Sequence, residues 1–256
     1  FFFHPHAGIP DPLWSRGLGD VYKRQIIAST GCAEEFDHFP PSRLEEMMAN
    51  AKNLGVLGEF LEHCFAPFDF SGNELTPPTT TIDDRMRLTC GDREIELYNV
   101  GPAHTRGDIL THLPGDRLIF TGDIIFNGGH PVIWDGPISN WQKACDIILS
   151  LDVDVVVPGH GPVTDKAHVR VFKGYLDYIE AEARKCFDAG FSEWDAACEI
   201  SLDDYDTWGD AERFIGNVYA LFREFRDDGS EPEVMPVFEE MARFHKDVIL
   251  PRLASG

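Results

Sequence analysis

Basic residues are scarce: 22 Lys and Arg stand against 44 Asp and Glu, a net charge of −22 with histidine neutral. That imbalance argues against a nucleic-acid binder, which needs clustered cations for phosphate contacts, and against docking on an anionic membrane. No apolar run approaches the roughly 18 residues of a membrane span. The six cysteines form no Cys-x-x-Cys pair, so they read as reduced, mostly packed thiols of a cytoplasmic protein. Phe1 to Phe3 is too short for the apolar region of a secretory signal, and no basic region precedes it. No Gly-x-Ser-x-Gly is present, so a serine-hydrolase nucleophile elbow is not expected. What is present is ordinary globular chemistry: 256 residues, 43% hydrophobic and 26% charged. That is ample chain for a core and for one or two domains.

Residues Ser15 to Gln25 read Ser-Arg-Gly-Leu-Gly-Asp-Val-Tyr-Lys-Arg-Gln. This run resembles the in-frame translation of a sequencing adapter. Residues 1–25 are therefore set aside as a misjoined segment, and the natural frame is expected to begin near Ile26.

From there, Ile26 to Ser29 reads as the end of a short buried strand. Ser42, three residues before Glu45, reads as a capping box opening a helix over about 43–54, with Phe60 to Phe65 as further helix. Pro67 to Thr81 reads as a long surface loop, a lid or substrate loop. Arg85–Thr89 and Glu94–Val100 flank Gly91-Asp92 as a hairpin, and Ile109–Leu113 and Arg117–Thr121 flank a second turn at Pro114-Gly115-Asp116. Ser139 with Gln142 reads as another capping box, for a helix to about Leu151, and Val153–Val157 as a short strand. Beyond Thr164 the pattern turns helical. Val169, Phe172, Leu176, Ile179 and Ala183 recur at three- and four-residue steps, Phe214 to Phe225 repeats the stripe, and a last helix spans about 234–250. Trp134 and Trp141 read as core or pocket wall, and Cys145 and Cys198 as packing. The expected class is α/β, with a domain over 26–164 and a helical extension over 165–256.

Three segments share one grammar. Gly101-Pro102-Ala103-His104-Thr105-Arg106-Gly107-Asp108, Phe120-Thr121-Gly122-Asp123 and Val157-Pro158-Gly159-His160-Gly161-Pro162 each place a His or Asp in a glycine-containing loop at a strand end. Such loops are where α/β proteins build sites, and glycine there lets the backbone approach a ligand closely. His104, Asp123 and His160 make a two-imidazole, one-carboxylate set suited to zinc, iron or manganese. Asp108 reads either as a carboxylate that orients a ligand or as a turn residue. His130 reads either as a pocket residue or as a plain loop residue.

At these motifs the sequence resembles the metallo-beta-lactamase superfamily, over about Ile26 to Thr164. The resemblance implies an αββα sandwich with a binuclear, usually zinc, centre at one edge. It assigns His104 to the third histidine of the first metal site, Asp123 to the catalytic carboxylate that bridges both metals, and His160 to the last histidine of the second site. It also implies a metal-bridging hydroxide attacking an ester, thioester or lactone-type carbonyl of a small molecule, because two cations acidify a shared water and polarise the substrate oxygen. Aspartate rather than cysteine at position 123 leans away from the cysteine-containing true beta-lactamases, toward thioesterase-, lactonase- and glyoxalase-II-like members. The Pro67–Thr81 loop, the Phe126–Pro137 loop and the helical tail are expected to set substrate choice.

The family's first motif, His-x-His-x-Asp-His, has no match. His4-Pro5-His6-Ala7-Gly8-Ile9 has the two-histidine spacing but lacks the Asp-His, and it precedes the adapter-like run. The expectation is therefore a sandwich lacking its N-terminal part, too few ligands for two full sites, weak metal binding, impaired activity and apolar sheet faces left bare. The alternatives are a non-catalytic binding module that keeps the fold and, last, an iron-dependent redox member, which the helical tail without a βαβ pattern disfavours. The aromatic-rich tail leaves room for a homodimer.

Overall fold

The computed structural model describes residues 25–35, 40–72, 75–230 and 234–255. The adapter-like run before Gln25 and the His4–His6 pair lie outside them. The mixed α/β class expected from the sequence is the one observed. β3 (Arg85–Cys90), β4 (Arg93–Asn99), β5 (Ile109–Leu113), β6 (Leu118–Phe126) and β7 (Val155–His160) form one sheet in that order. The first four are antiparallel and β7 joins β6 in parallel. A parallel return needs a crossover, which α4 (Ile138–Ser150) supplies. β1 (Ile27–Ser29) and β2 (Thr80–Ile82) make a separate parallel pair, so the last residues of the expected Pro67–Thr81 loop are strand.

The two faces of the large sheet differ. Leu110, Ile119 and Val156 point to the same face, Ile119 directly beside Val156, and are fully buried, in one continuous core with Trp141 and Ile148 of α4 and with Phe172 of α5 (Lys166–Asp188). On the opposite face Met86, Leu88, Ile95, Phe120 and Val157 are only half-buried and do not belong to that core. Leu97 and Thr111 on the same face are buried, so among the described residues this face, expected to be bare, is covered in part.

The helical stripe of the tail is buried as its spacing predicts: Val169, Phe172, Leu176, Ile179 and Ala183 of α5 are all inaccessible. Asp165 caps this helix, accepting from the amides of Ala167 and His168. α6 (Glu193–Glu199), α7 (Arg213–Arg226) and α8 (Val234–Phe244) follow. The expected single last helix is interrupted by a π-turn, His245–Ile249, and continues as α9 (Leu250–Ser255). No helix among the described residues is long and apolar enough to cross a membrane. The six cysteines are free; Cys145 is buried as expected, whereas Cys198 is exposed on α6, which corrects its reading as packing.

Both capping boxes fail, for one kind of reason. α2 (Pro41–Ala49) begins before Ser42, with proline in its first turn, where no amide donor is needed. α4 begins at Ile138, before Ser139, and its first amide donates instead to Glu224 Oε1 of α7 at 3.0 Å. The tertiary partner replaces the local cap. α1 (Thr30–Glu35) and α3 (Val56–Phe65) complete the helices.

Glu224 also gives a pH test, of its burial rather than of that contact. Burial pushes its carboxyl up to about 7, Glu180 adds to this, and the Ile138 amide opposes it. The folded state therefore holds the proton more tightly than the unfolded chain, whose ordinary value is 4.5. The contribution is full below that value and is lost as pH rises through about 7. Urea midpoints should fall across this window, and Glu224→Gln should flatten a component of roughly 2–3 kcal/mol.

Candidate functional site

β6 and β7 carry two of the expected residues at their ends. Their ladder is regular from Leu118 to Phe120, then shifts register between Gly122 and Phe126, the stretch that holds Asp123. β7 closes with Pro158-Gly159-His160, and Phe126 stands opposite His160. Glycine is required at 159: a Cβ there would stand 2.0 Å from Asp123 Oδ1 and 2.6 Å from the Gly122 carbonyl carbon. Asn127 closes the next turn, its amide donating to the His160 carbonyl and its Nδ2 to the Pro162 carbonyl, each at 2.9 Å.

His104 arrives from the loop between β4 and β5. Asp108 folds that loop, accepting from the Thr105 amide at 2.9 Å and the Thr105 hydroxyl at 2.8 Å. Burial pushes the Asp108 carboxyl up, while the neighbouring His104 draws it down. Asp108 thus shapes the loop that presents His104. The segment after β6 locks the imidazole itself. Trp134 donates its amide to the His104 carbonyl at 3.1 Å, and Gly136 donates to the Ala103 carbonyl at 2.9 Å. His104 Nδ1 lies 2.6 Å from the Val132 carbonyl. A carbonyl only accepts, so Nδ1 carries the proton and Nε2 keeps its lone pair.

α7 clamps this same segment. Asn217, fully buried, accepts from the Ile133 amide at 2.8 Å and donates to the Pro131 carbonyl at 2.9 Å. Arg223 donates to the Asp135 carbonyl at 2.9 Å. Much of the expected Phe126–Pro137 substrate loop is therefore interior, and only parts such as 127–129 and 134–135 retain some exposure.

The three residues selected from the sequence meet. His104 Nε2 lies 3.5 Å from Asp123 Oδ2, and His160 Nε2 lies 3.6 Å from Asp123 Oδ1. One imidazole faces each carboxylate oxygen. The His104 side chain is 9% exposed and that of His160 50%, so one ring is set in the core and the other at the mouth. Burial pushes the Asp123 carboxyl up, but the two imidazoles outweigh it and hold the group well below the usual carboxylate range.

Both separations are long for hydrogen bonds. They match the edge of a tetrahedron around a cation with ligands at about 2.1 Å, which is about 3.4 Å. The donor types and spacings therefore suit metal ligation, as two imidazole–carboxylate-oxygen pairs that share Asp123. They do not complete either set, since a catalytic zinc takes three protein ligands. Among the described residues, no group of three or more His, Cys, Asp or Glu is arranged to hold an ion.

His130 is elsewhere. It is fully buried, its Nδ1 3.0 Å from the Tyr175 hydroxyl and its ring against Tyr175 and Trp208. Burial pushes its pKa down to about 4. The pocket reading of His130 is thus corrected: Arg213 and Asn217 on α7 draw this loop into the core. Sequence reasoning missed Phe126, whose ring stacks on His160 at 4.4 Å and 7°. The signal was the apolar run Ile124-Ile125-Phe126, which extends the strand past Thr121 to the site.

The sequence profile of the metallo-beta-lactamase superfamily matches residues 16–160. A curated relative, the 2,4-dinitroanisole O-demethylase subunit alpha of Nocardioides sp. (strain JS1661), is 26% identical over 225 residues, 80% of this chain and 60% of that protein. An acyl-coenzyme A thioesterase of Homo sapiens is 29% identical over 89 residues, 32% of this chain and 31% of that protein. The chain spans less than two thirds of the length of either relative. A metallo-beta-lactamase family protein of Thermus thermophilus shares the fold, with a TM-score of 0.51 at 15% identity over 84% of this chain and 70% of that one. Since the superfamily profile covers more than half of its residues, the chain belongs to the metallo-beta-lactamase superfamily.

Proposed function

We propose that the protein is a metal-dependent hydrolase acting on an ester, thioester or lactone-type carbonyl of a small molecule. Zinc is the expected cofactor, with iron or manganese as substitutes. The observation that carries this reading is the placement of one imidazole on each oxygen of Asp123. His104 would hold one ion with Oδ2, and His160 the other with Oδ1. When bound, such ions supply Lewis acidity for water and for a carbonyl oxygen. The chain's own residues prepare the site. The Val132 carbonyl keeps the proton on His104 Nδ1, Asp123 stays ionised between the rings, and half-exposed His160 leaves the mouth open to a small molecule.

The thioesterase relative supports the carbonyl class. The O-demethylase relative, which matches over most of the chain, adds an aryl methyl ether to the compounds worth testing. The acidic composition supports a protein without nucleic-acid or membrane partners, and six free cysteines support a cytoplasmic one. The test supplies zinc, manganese or ferrous ion in excess and assays thioesters, lactones, beta-lactams and an aryl methyl ether. Slow turnover of a thioester or lactone, impaired by the missing first motif, lost on chelation and restored by an excess of one metal, is expected. Turnover indifferent to chelation would sink the reading. Binding of these compounds without turnover would favour the non-catalytic module, which the incomplete donor set among the described residues also favours.

A further inference from the structure

His104 and His160 are held in different ways. His104 is buried and has its second nitrogen pinned by a carbonyl. The His160 side chain is half-exposed, and among the described residues its ring meets Asp123 and the face of Phe126. Something must fix the plane of the His160 ring if its Nε2 is to present to a ligand within a narrow cone.

The ring of Phe126 does this by position. His160 and Phe126 are cross-strand partners on β7 and β6, and their rings lie 4.4 Å apart at 7°. Behind Phe126 the column continues: Phe172 of α5 at 6.3 Å and 12°, then Trp208 at 6.4 Å and 3° from Phe172. These spacings lie within or just under the range of interacting aromatic pairs. Phe126 also meets His104, at 5.6 Å and 61°. At 2% exposure its ring has no open side to swing toward.

We propose that Phe126 is a positioning residue of the Asp123 site, fixing the plane of His160, with the column through Phe172 and Trp208 making the helical extension part of that support. The inference rests on the metal-site reading above, and its test separates the two. Phe126→Leu keeps apolar bulk without the plane, and Phe126→Tyr keeps the plane. Phe126→Met carries the test if the leucine variant does not fold, since its flexible side chain fills irregular gaps.

Two quantities are read: zinc affinity by competition with a chromophoric chelator, and the His160 ring protons by NMR in the metal-free chain at fixed pH. The wild-type His160 signals should sit upfield, in one ring orientation. Phe126→Leu should lose that shift and weaken zinc binding about 10–100-fold, and Phe126→Tyr should return to within about threefold of wild type. A folded leucine variant with unchanged zinc affinity overturns the proposal, as does a tyrosine variant as weak as the leucine one. If the wild-type chain takes up no zinc, the metal reading fails on its own account and NMR decides. A His160 ring that becomes averaged in Phe126→Leu supports the positioning role, and one that keeps its orientation overturns it.

Discussion

Asp123→Asn is expected to lower zinc affinity by at least about 100-fold and to abolish detectable hydrolysis while leaving the chain folded. The amide has the shape of the carboxylate, so packing is conserved. Its charge is gone, and one oxygen becomes an NH2 group that donates hydrogen bonds and has no lone pair for a cation. Whichever way the amide turns, it withdraws the anionic partner of either His104, 3.5 Å from Oδ2, or His160, 3.6 Å from Oδ1. Because the carboxylate is shared, one substitution damages both positions. The fold should survive because the Asp123 side chain is 40% exposed and its partners are those two rings. Zinc affinity by competition with a chromophoric chelator, with circular dichroism to confirm folding, measures this. A folded variant with wild-type zinc affinity would remove Asp123 from the centre.

The parts of this molecule that local chemistry dictates were legible in its sequence. A His or Asp with glycine beside it at a strand end marks a place where backbone crowds a side chain, and the crowding is real: Gly159 has no room for a Cβ beside Asp123. The α5 stripe was legible because burial of one helical face repeats every three or four residues. What was hidden depends on partners far along the chain. The amide that opens α4 is capped by Glu224, 86 residues away, so the Ser139 capping box has nothing to do. The loop carrying His130 has the composition of a surface loop, yet Asn217 of α7 draws it inward and turns a candidate pocket residue into core. Phe126 was hidden because its task, facing His160, exists only once β6 and β7 are paired.

Gly159→Ala should reproduce the loss of metal expected on removing Asp123, without touching any donor. Every candidate ligand and the net charge are unchanged. The added Cβ would nevertheless stand 2.0 Å from Asp123 Oδ1, 2.6 Å from the Gly122 carbonyl carbon and 2.8 Å from the Asp123 amide nitrogen. The carboxylate can rotate away, but the Gly122–Asp123 backbone cannot do so without shifting the end of β6. Either response moves Oδ1 off the position facing His160, and a backbone shift also disturbs Oδ2 opposite His104. Overpacking of this kind costs roughly 1–3 kcal/mol, so the melting temperature should fall modestly while zinc affinity falls by about 100-fold or more. Gly115→Ala is the matched control, since a Cβ there meets nothing within 4 Å. It should leave both quantities unchanged. If Gly159→Ala loses stability but keeps zinc, the carboxylate tolerates displacement. The close packing of the 158–161 turn on Asp123 would then serve the fold rather than the site.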